Sequence, residues 1–354
     1  MVRKKRSKKS GSWKKIVAIA VVIIVCLGGV SGWELYRMIY GPNVGFTEDD
    51  KYFYIPTGAD FQEVSNALVQ QGIIQSQASF DWVSDQKKYK LNVKPGRYLL
   101  ENGMSNNELV NLLRSGEQEP VMVTFNNVRF KEDLAGKVGK FIEADSMQII
   151  YLLNNNDFVS KYGFTQSTFL TLFLPNTYEF WWNTSAEQFV ERMAAEYKTF
   201  WTAERKQKAK NLGLSQSEVS ILASIVQKET NKNDEKPTVA GVYLNRLKKG
   251  MLLQADPTLV YANRDFEARR VLNKHKAIDS PYNTYKYKGL PPGPICLPSI
   301  SSIDAVLNAK SHNYLYFCAK ADNSGYHSFA STYNEHLRNA REFQRELNRR
   351  KVYR

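Results

Sequence analysis

Ser215-Gln-Ser-Glu218-Val-Ser-Ile-Leu-Ala-Ser-Ile-Val-Gln-Lys-Glu229-Thr230 reads as a helix with its start signal attached. Ser215 followed by Glu218 is a capping box: the hydroxyl accepts the Glu218 N–H and the carboxylate accepts the Ser215 N–H. Ile221, Leu222, Ala223, Ile225 and Val226 then build one apolar side. At about 100° per residue, with Ile221 at zero, that side centres at about 95° and Glu229 falls at about 80°. Gln227, at about 240°, and Lys228, at about 340°, point away from it. An acid stands where a leucine is expected. Apolar surroundings disfavour the charged carboxylate and raise its pKa, which keeps a glutamic acid protonated near neutral pH and able to act as a general acid. A structural Glu neutralised by Arg246 would show the same spacing, so both readings stand at this point.

Downstream, residues 241–261 (GVYLNRLKKGMLLQADPTLVY) pass from a helical pattern into a loop dense in hydrogen-bonding side chains. Residues 280–294 (SPYNTYKYKGLPPGP) add tyrosines and a stiff Pro/Gly turn. Amides and hydroxyls beside aromatic faces suit a sugar-binding groove, and Gln254, Thr258, Asn283 and Tyr285 are expected to line it. Packing tyrosines and an ordinary turn would look the same in isolation.

Upstream, residues 16–33 form an uncharged, apolar stretch about as long as a bilayer core. Eight of the 49 cations precede residue 16, where no acid occurs, leaving 41 cations against 35 acids elsewhere. Cations on that side only predict a cytoplasmic tail (1–15), a transmembrane anchor (16–33) and export of the rest. No small-residue cleavage site closes the segment, and Trp33 and Tyr36 resemble an interfacial belt, which favours an uncleaved anchor over a signal peptide. A short stalk is expected over 34–50, with Gly41-Pro42 and an acidic pair.

Two strand-helix-helix-strand runs follow, near 51–104 and 121–180. The first has a strand at 51–55, a helix at 59–70 turning Phe61, Val64, Leu68 and Val69 inward, a helix at 79–86, a strand after Pro95-Gly96 and a capping box at Ser105/Glu108. The second has a strand at 121–125, helices at 131–142 and 146–153, and a β-rich segment at 169–180. One long amphipathic helix is expected over 185–212. The fold class is α+β: an N-terminal transmembrane helix, a small two-layer module (51–118) and a larger mixed domain (119–350).

A basic nucleic-acid-binding tail is disfavoured because a membrane span follows it at once. Four scattered histidines and three cysteines show no metal-ligand spacing, so neither a metal nor a cofactor is expected. Cys296 and Cys318 are equally readable as a pair or as buried apolar groups.

Residues 222–230 (LASIVQKET), Asn245-Arg246-Leu247, 253–258 (LQADPT), 282–285 (YNTY) and 289–295 (GLPPGPI) resemble, in order and spacing, the endolytic murein transglycosylase family, MltG or YceG-like. Residues 314–317 (YLYF), 325–329 (GYHSF) and 334–336 (NEH) look like its closing motifs. In that family an E-K-E-T segment carries the catalytic acid at its second Glu; here it reads Gln227-Lys228-Glu229-Thr230, so the role falls on Glu229. A second departure lies at 169–178, where Leu170, Thr171 and Asn176 replace the Glu, Gly and Asp of the family's pattern.

The resemblance implies a LysM-like first module and peptidoglycan glycan strands as substrate, and within the quoted motifs Asn245, Arg246, Gln254, Asp256, Thr258, Asn283, Thr284 and Tyr285 are the candidate binding residues. It also implies work in the cytoplasmic membrane beside peptidoglycan synthases. The implied reaction is lytic: Glu229 protonates the oxygen between N-acetylmuramic acid and N-acetylglucosamine, then accepts the C6 hydroxyl proton as that oxygen attacks C1, leaving a 1,6-anhydro end. Two alternatives stay open. A muramidase-type hydrolase would need a second acid, for which Asp256 is the candidate. A non-catalytic peptidoglycan-binding or division-scaffold protein would need no acid at all.

Overall fold

A computed structural model describes residues 12–47, 50–267 and 271–349. The basic residues before 12 and the terminus at Arg354 lie outside the described residues. The chain divides into two compact units, Met1–Val121 with Trp181–Asn183, and Met122–Phe180 with Thr184–Arg354.

The first unit opens with α1 (Ser12–Tyr40), a helix about 43 Å long at 1.5 Å per residue, apolar and long enough to cross a membrane. Along its last turns Trp33 stacks on Tyr36, and Tyr36 meets Tyr40 at a tilt. The expected stalk does not hang free after it. Asn43 and Val44 are buried, Pro42 and Val44 bridge to Ser105 and Ile74, and Asn43 donates to Asn106 at 2.7 Å while Asn106 donates to the Met38 carbonyl at 2.9 Å. A buried amide pair has to be satisfied internally, and satisfying it draws 41–46 into the module.

Strands β1 (Asp50–Ile55) and β2 (Gly96–Glu101) pair antiparallel from Asp50↔Glu101 to Ile55↔Gly96. The period of two turns Phe53, Ile55, Tyr98 and Leu100 onto α2 (Phe61–Gln70), α3 (Gln77–Gln86) and α4 (Asn106–Ser115). Capping boxes at Asp60/Glu63 and Ser105/Glu108 start α2 and α4, and Gly116 ends α4 in the left-handed region. Val69, expected inward, is 41% exposed. Helix α2 stops at Gln70 and Gly72, at φ +64°, reverses the chain, so Ile73 and Ile74 fill that part of the core.

The second unit begins at Met122, within β3 (Val121–Phe125), and continues with α5 (Lys131–Val138), α6 (Ser146–Leu153), α7 (Asn156–Lys161) and β4 (Asn176–Phe180), with β3 and β4 forming a second two-stranded sheet. Only the later half of 169–180 is strand. Phe169–Leu172 forms a 3-10 turn with every residue buried, and Thr171 bonds to the Thr168 carbonyl (2.7 Å) and Ser217 (3.1 Å). The expected long helix is two, α8 (Ala186–Phe200) and α9 (Ala203–Leu212). Buried Trp201 leaves helical geometry and the Thr202 side chain caps α9, a local bond that competes with continuing the first helix.

Helix α10 (Gln216–Glu229) packs against α9, α11 (Lys236–Lys248), α12 (Asp256–Asn263) and α14 (Ile300–Leu307), with α13 (Asn273–Lys276) beyond α12. An antiparallel hairpin, β5 (Tyr316–Ala319) and β6 (His327–Ala330), and α15 (Tyr333–Arg349) complete the unit. Cys296 is buried with its thiol at the Ser224 carbonyl, and both it and Cys318 are free.

Candidate active site

Every residue of α10 from Val219 to Val226 is buried, because neighbours surround the helix rather than lying along one side. Ser220 and Ser224 fit inside by bonding backbone carbonyls one turn back, at Gln216 and Ile221. Gln227, placed on an outward face by helical geometry, is half-buried: its side-chain oxygen accepts the Ser299 N–H (2.5 Å) and the Ser302 hydroxyl (3.1 Å), tying α10 to the start of α14. Lys228 is exposed as expected.

Glu229 is the last residue of the helix, before Thr230 takes extended geometry. The residue keeps part of its surface in solvent, and protein is packed closely around its carboxyl. That burial pushes its pKa up to about 7; the Tyr243 hydrogen bond opposes the effect, the Asp256 charge adds to it and the Arg246 charge opposes it. Tyr243, on α11 and 1% exposed, donates its hydroxyl to Glu229 Oε1 at 2.5 Å. Burial and the adjacent Glu229 hold the phenol well above its ordinary pKa, so it remains the donor.

The alternative reading, an ion pair between Glu229 and Arg246, does not form; Arg246 has other partners. Arg246 is buried, and its Nε and Nη1 donate to the carbonyls of Leu315 and Leu253, each at 2.6 Å, with its guanidinium 5.4 Å from the Tyr316 ring. It fastens α11 to the 253 loop and to the residue entering β5. Asn245 does similar work, donating to the carbonyls of His312 (2.7 Å) and Tyr314 (3.0 Å).

The other candidate binding residues separate into two sets. Asp256 and Gln254 are exposed, and Tyr285 is half-buried with its hydroxyl donating to Asp256. Gln254 has φ +51° and its backbone N–H donates to the Thr284 carbonyl. Thr258, Asn283 and Thr284 are buried, so Thr258 and Asn283 do not line an open groove as expected. Thr258 bonds Thr284 (2.8 Å) and the Ala255 carbonyl (2.7 Å), and Asn283 donates to the carbonyls of Lys276 (3.0 Å) and Ile278 (2.8 Å). Their polar atoms hold the loop that presents Tyr285. The Asn283 Oδ1 also accepts the Tyr285 N–H (3.0 Å), so Asn283→Ala is expected to lose about 1.5–4.5 kcal/mol of stability, three bonds' worth, in urea unfolding. A variant as stable as the parent but weak in glycan binding would return Asn283 to the groove.

Two features escaped the residue pattern. Tyr243 lies one helical turn before Arg246, inside a segment chosen for its amides, and the signal available was that i, i+3 pairing on one face. The second is a clamp: Glu235, just before α11, accepts the His327 backbone N–H and pairs with its ring Nδ1, both at 2.7 Å, with both residues largely buried.

The profile of the YceG-like family matches residues 53–342 of this chain, most of its length. The chain belongs to the YceG-like family. This YceG-like chain is 30% identical over 302 residues to the endolytic murein transglycosylase of Bacillus subtilis, covering 80% of the chain and 81% of that relative. It is 27% identical over 362 aligned positions to the endolytic murein transglycosylase of Streptococcus pneumoniae D39, covering 93% of the chain and 65% of that longer relative. The crystal structure of a yceG-like protein from Listeria monocytogenes superposes with a TM-score of 0.56 at 27% identity, over 82% of this chain and 98% of that one. The YceG-like fold and the motif resemblance thus agree.

Proposed function

We propose that this chain is a lytic transglycosylase that cuts peptidoglycan strands between N-acetylmuramic acid and N-acetylglucosamine and leaves 1,6-anhydro ends. The observation that carries the reading is Glu229: an acid at the end of the central helix, with no cation bonded to it among the described residues and a pKa near 7. A pKa near working pH serves a group that must give a proton and then take one. The relatives' names support the substrate class. Glu229 protonates the glycosidic oxygen; the C1–O bond breaks with its electron pair on that oxygen; the C6 oxygen attacks C1 and its proton passes to Glu229. An intramolecular hydroxyl needs no separate base to activate water.

Asp256 sustains one second reading. It is exposed and electrostatically coupled to Glu229, as a hydrolase's second carboxylate would be. Mass spectrometry of muropeptides released by the soluble part separates the cases: anhydro ends support the lyase, reducing ends the hydrolase, and no release the scaffold.

The same reading places α1 across the cytoplasmic membrane with its N-terminus inside, residues 51–118 outside as a LysM-like glycan-holding module, and peptidoglycan synthases as neighbours. External protease is expected to reach the C-terminus in spheroplasts; protection of that end would contradict this topology.

A further inference from the structure

We infer that Tyr243 is a positioning residue for this reaction: its hydroxyl holds Glu229 Oε1, leaving Oε2 as the oxygen that gives up the proton and later takes one back. The inference rests on Glu229 being the acid. An oxygen that accepts a phenol O–H at 2.5 Å does not also carry the acid's proton towards that donor, so the protonated carboxyl bears it on Oε2. After Oε2 transfers that proton to the glycosidic oxygen, the same hydrogen bond becomes charge-assisted and stabilises the carboxylate through the moment at which C1 is electron-poor. The C6 hydroxyl then returns a proton to Oε2 as its oxygen closes on C1. Both transfers use one oxygen, and no co-reactant is needed.

The placement of Tyr243 is built from several elements. Its ring meets Phe317 of β5 edge-on, at 5.9 Å between centroids and 89°. Phe317 stands opposite Phe329 in the hairpin register and against the His327 ring at 5.2 Å. Glu235 grips His327 through ring and backbone just before the helix that carries Tyr243, so hairpin and helix are fixed to each other at that end. Among the described residues, Asp256 at the start of α12, Arg246 on α11 and Tyr285 in the loop after α13 also act electrostatically on or with Glu229, and His336 of α15 feels the Arg246 charge.

The test is Tyr243→Phe, which keeps the ring on Phe317 and removes one oxygen. Because the bond favours the charged carboxylate, its loss should move the Glu229 titration, followed by carboxyl ¹³C NMR, above about 7. The basic limb of the pH–rate profile should move up with it, and kcat should fall about 10- to 100-fold with KM little changed. Phe317→Leu, which loosens the brace from the hairpin side, should give a smaller effect in the same direction. Parental turnover with an unmoved titration in Tyr243→Phe would overturn the inference, as would a fall in turnover with neither limb nor titration displaced. Failure of the underlying reading is visible separately, as parental turnover in Glu229→Gln; the NMR midpoint still decides the Tyr243 contact in that case.

Discussion

Glu229→Gln is expected to abolish strand cleavage while making the protein more stable at alkaline pH. General acid–base assistance is worth about 10²–10⁴ in rate, and one side chain serves both proton transfers here, so the loss should reach or exceed the upper end. The stability effect follows from linkage. A carboxyl whose pKa rises from 4.5 in the unfolded chain to about 7 in the fold binds its proton more tightly when folded. Stability from this group is therefore fully present below pH 4.5, falls as pH rises through the interval and stays low above about 7. The neutral amide escapes that loss, gaining up to about 3 kcal/mol at pH 8, less for solvent relaxation at a half-buried site, and nothing comparable at pH 4. Thermal unfolding at both pH values reads this out. An ion-pair role predicts the reverse, about 3–5 kcal/mol of destabilisation from stranding a buried cation.

Arg246→Ala is expected to be the most damaging single change to the fold around the site. The guanidinium satisfies the Leu253 and Leu315 carbonyls at once, and bonds from a charged donor contribute about 1.5–3 kcal/mol each, so truncation should lower stability by about 3–5 kcal/mol. Arg246→Lys should recover less than half of that, because a single ammonium cannot span two carbonyls with the planar geometry of the fork. Denaturant midpoints at constant m-value measure both. A stable Arg246→Ala protein that has lost only glycan binding would restore Arg246 to the substrate-contacting set in which its motif places it.

What could be read before the structure divides along the range of the interaction involved. The boxes at Ser105/Glu108 and Ser215/Glu218 are bonds across three residues, and both form as the residue order implies. The β1 and β3 strands and the inward direction of Glu229 follow from local periodicity in the same way. The break at Trp201 and the inward turn of Gln227 depend on partners elsewhere in the chain: buried packing for the one, Ser299 and Ser302 for the other. A helix buried all round over Val219–Val226 has little solvent face left at Gln227, and a two-sided wheel assigns that residue to one anyway. The same reason hid the status of Thr258, Asn283 and Thr284. Polar residues dense in a loop look identical whether they bind a ligand or satisfy the loop's own carbonyls. Tyr243 was hidden by its chemistry, since a buried tyrosine on a helix is ordinarily core; its place one turn before Arg246 is a weak signal, and its hydroxyl's bond to Glu229 is what distinguishes it.

Cleavage of purified glycan strands in H₂¹⁸O, by the parent and Glu229→Gln side by side, tests the central claim most directly. The parent should yield 1,6-anhydro-muramyl ends without ¹⁸O, because the nucleophile comes from the sugar itself, and the variant should yield none above background. Reducing ends carrying ¹⁸O, or anhydro ends released by Glu229→Gln at the parental rate, would contradict the account.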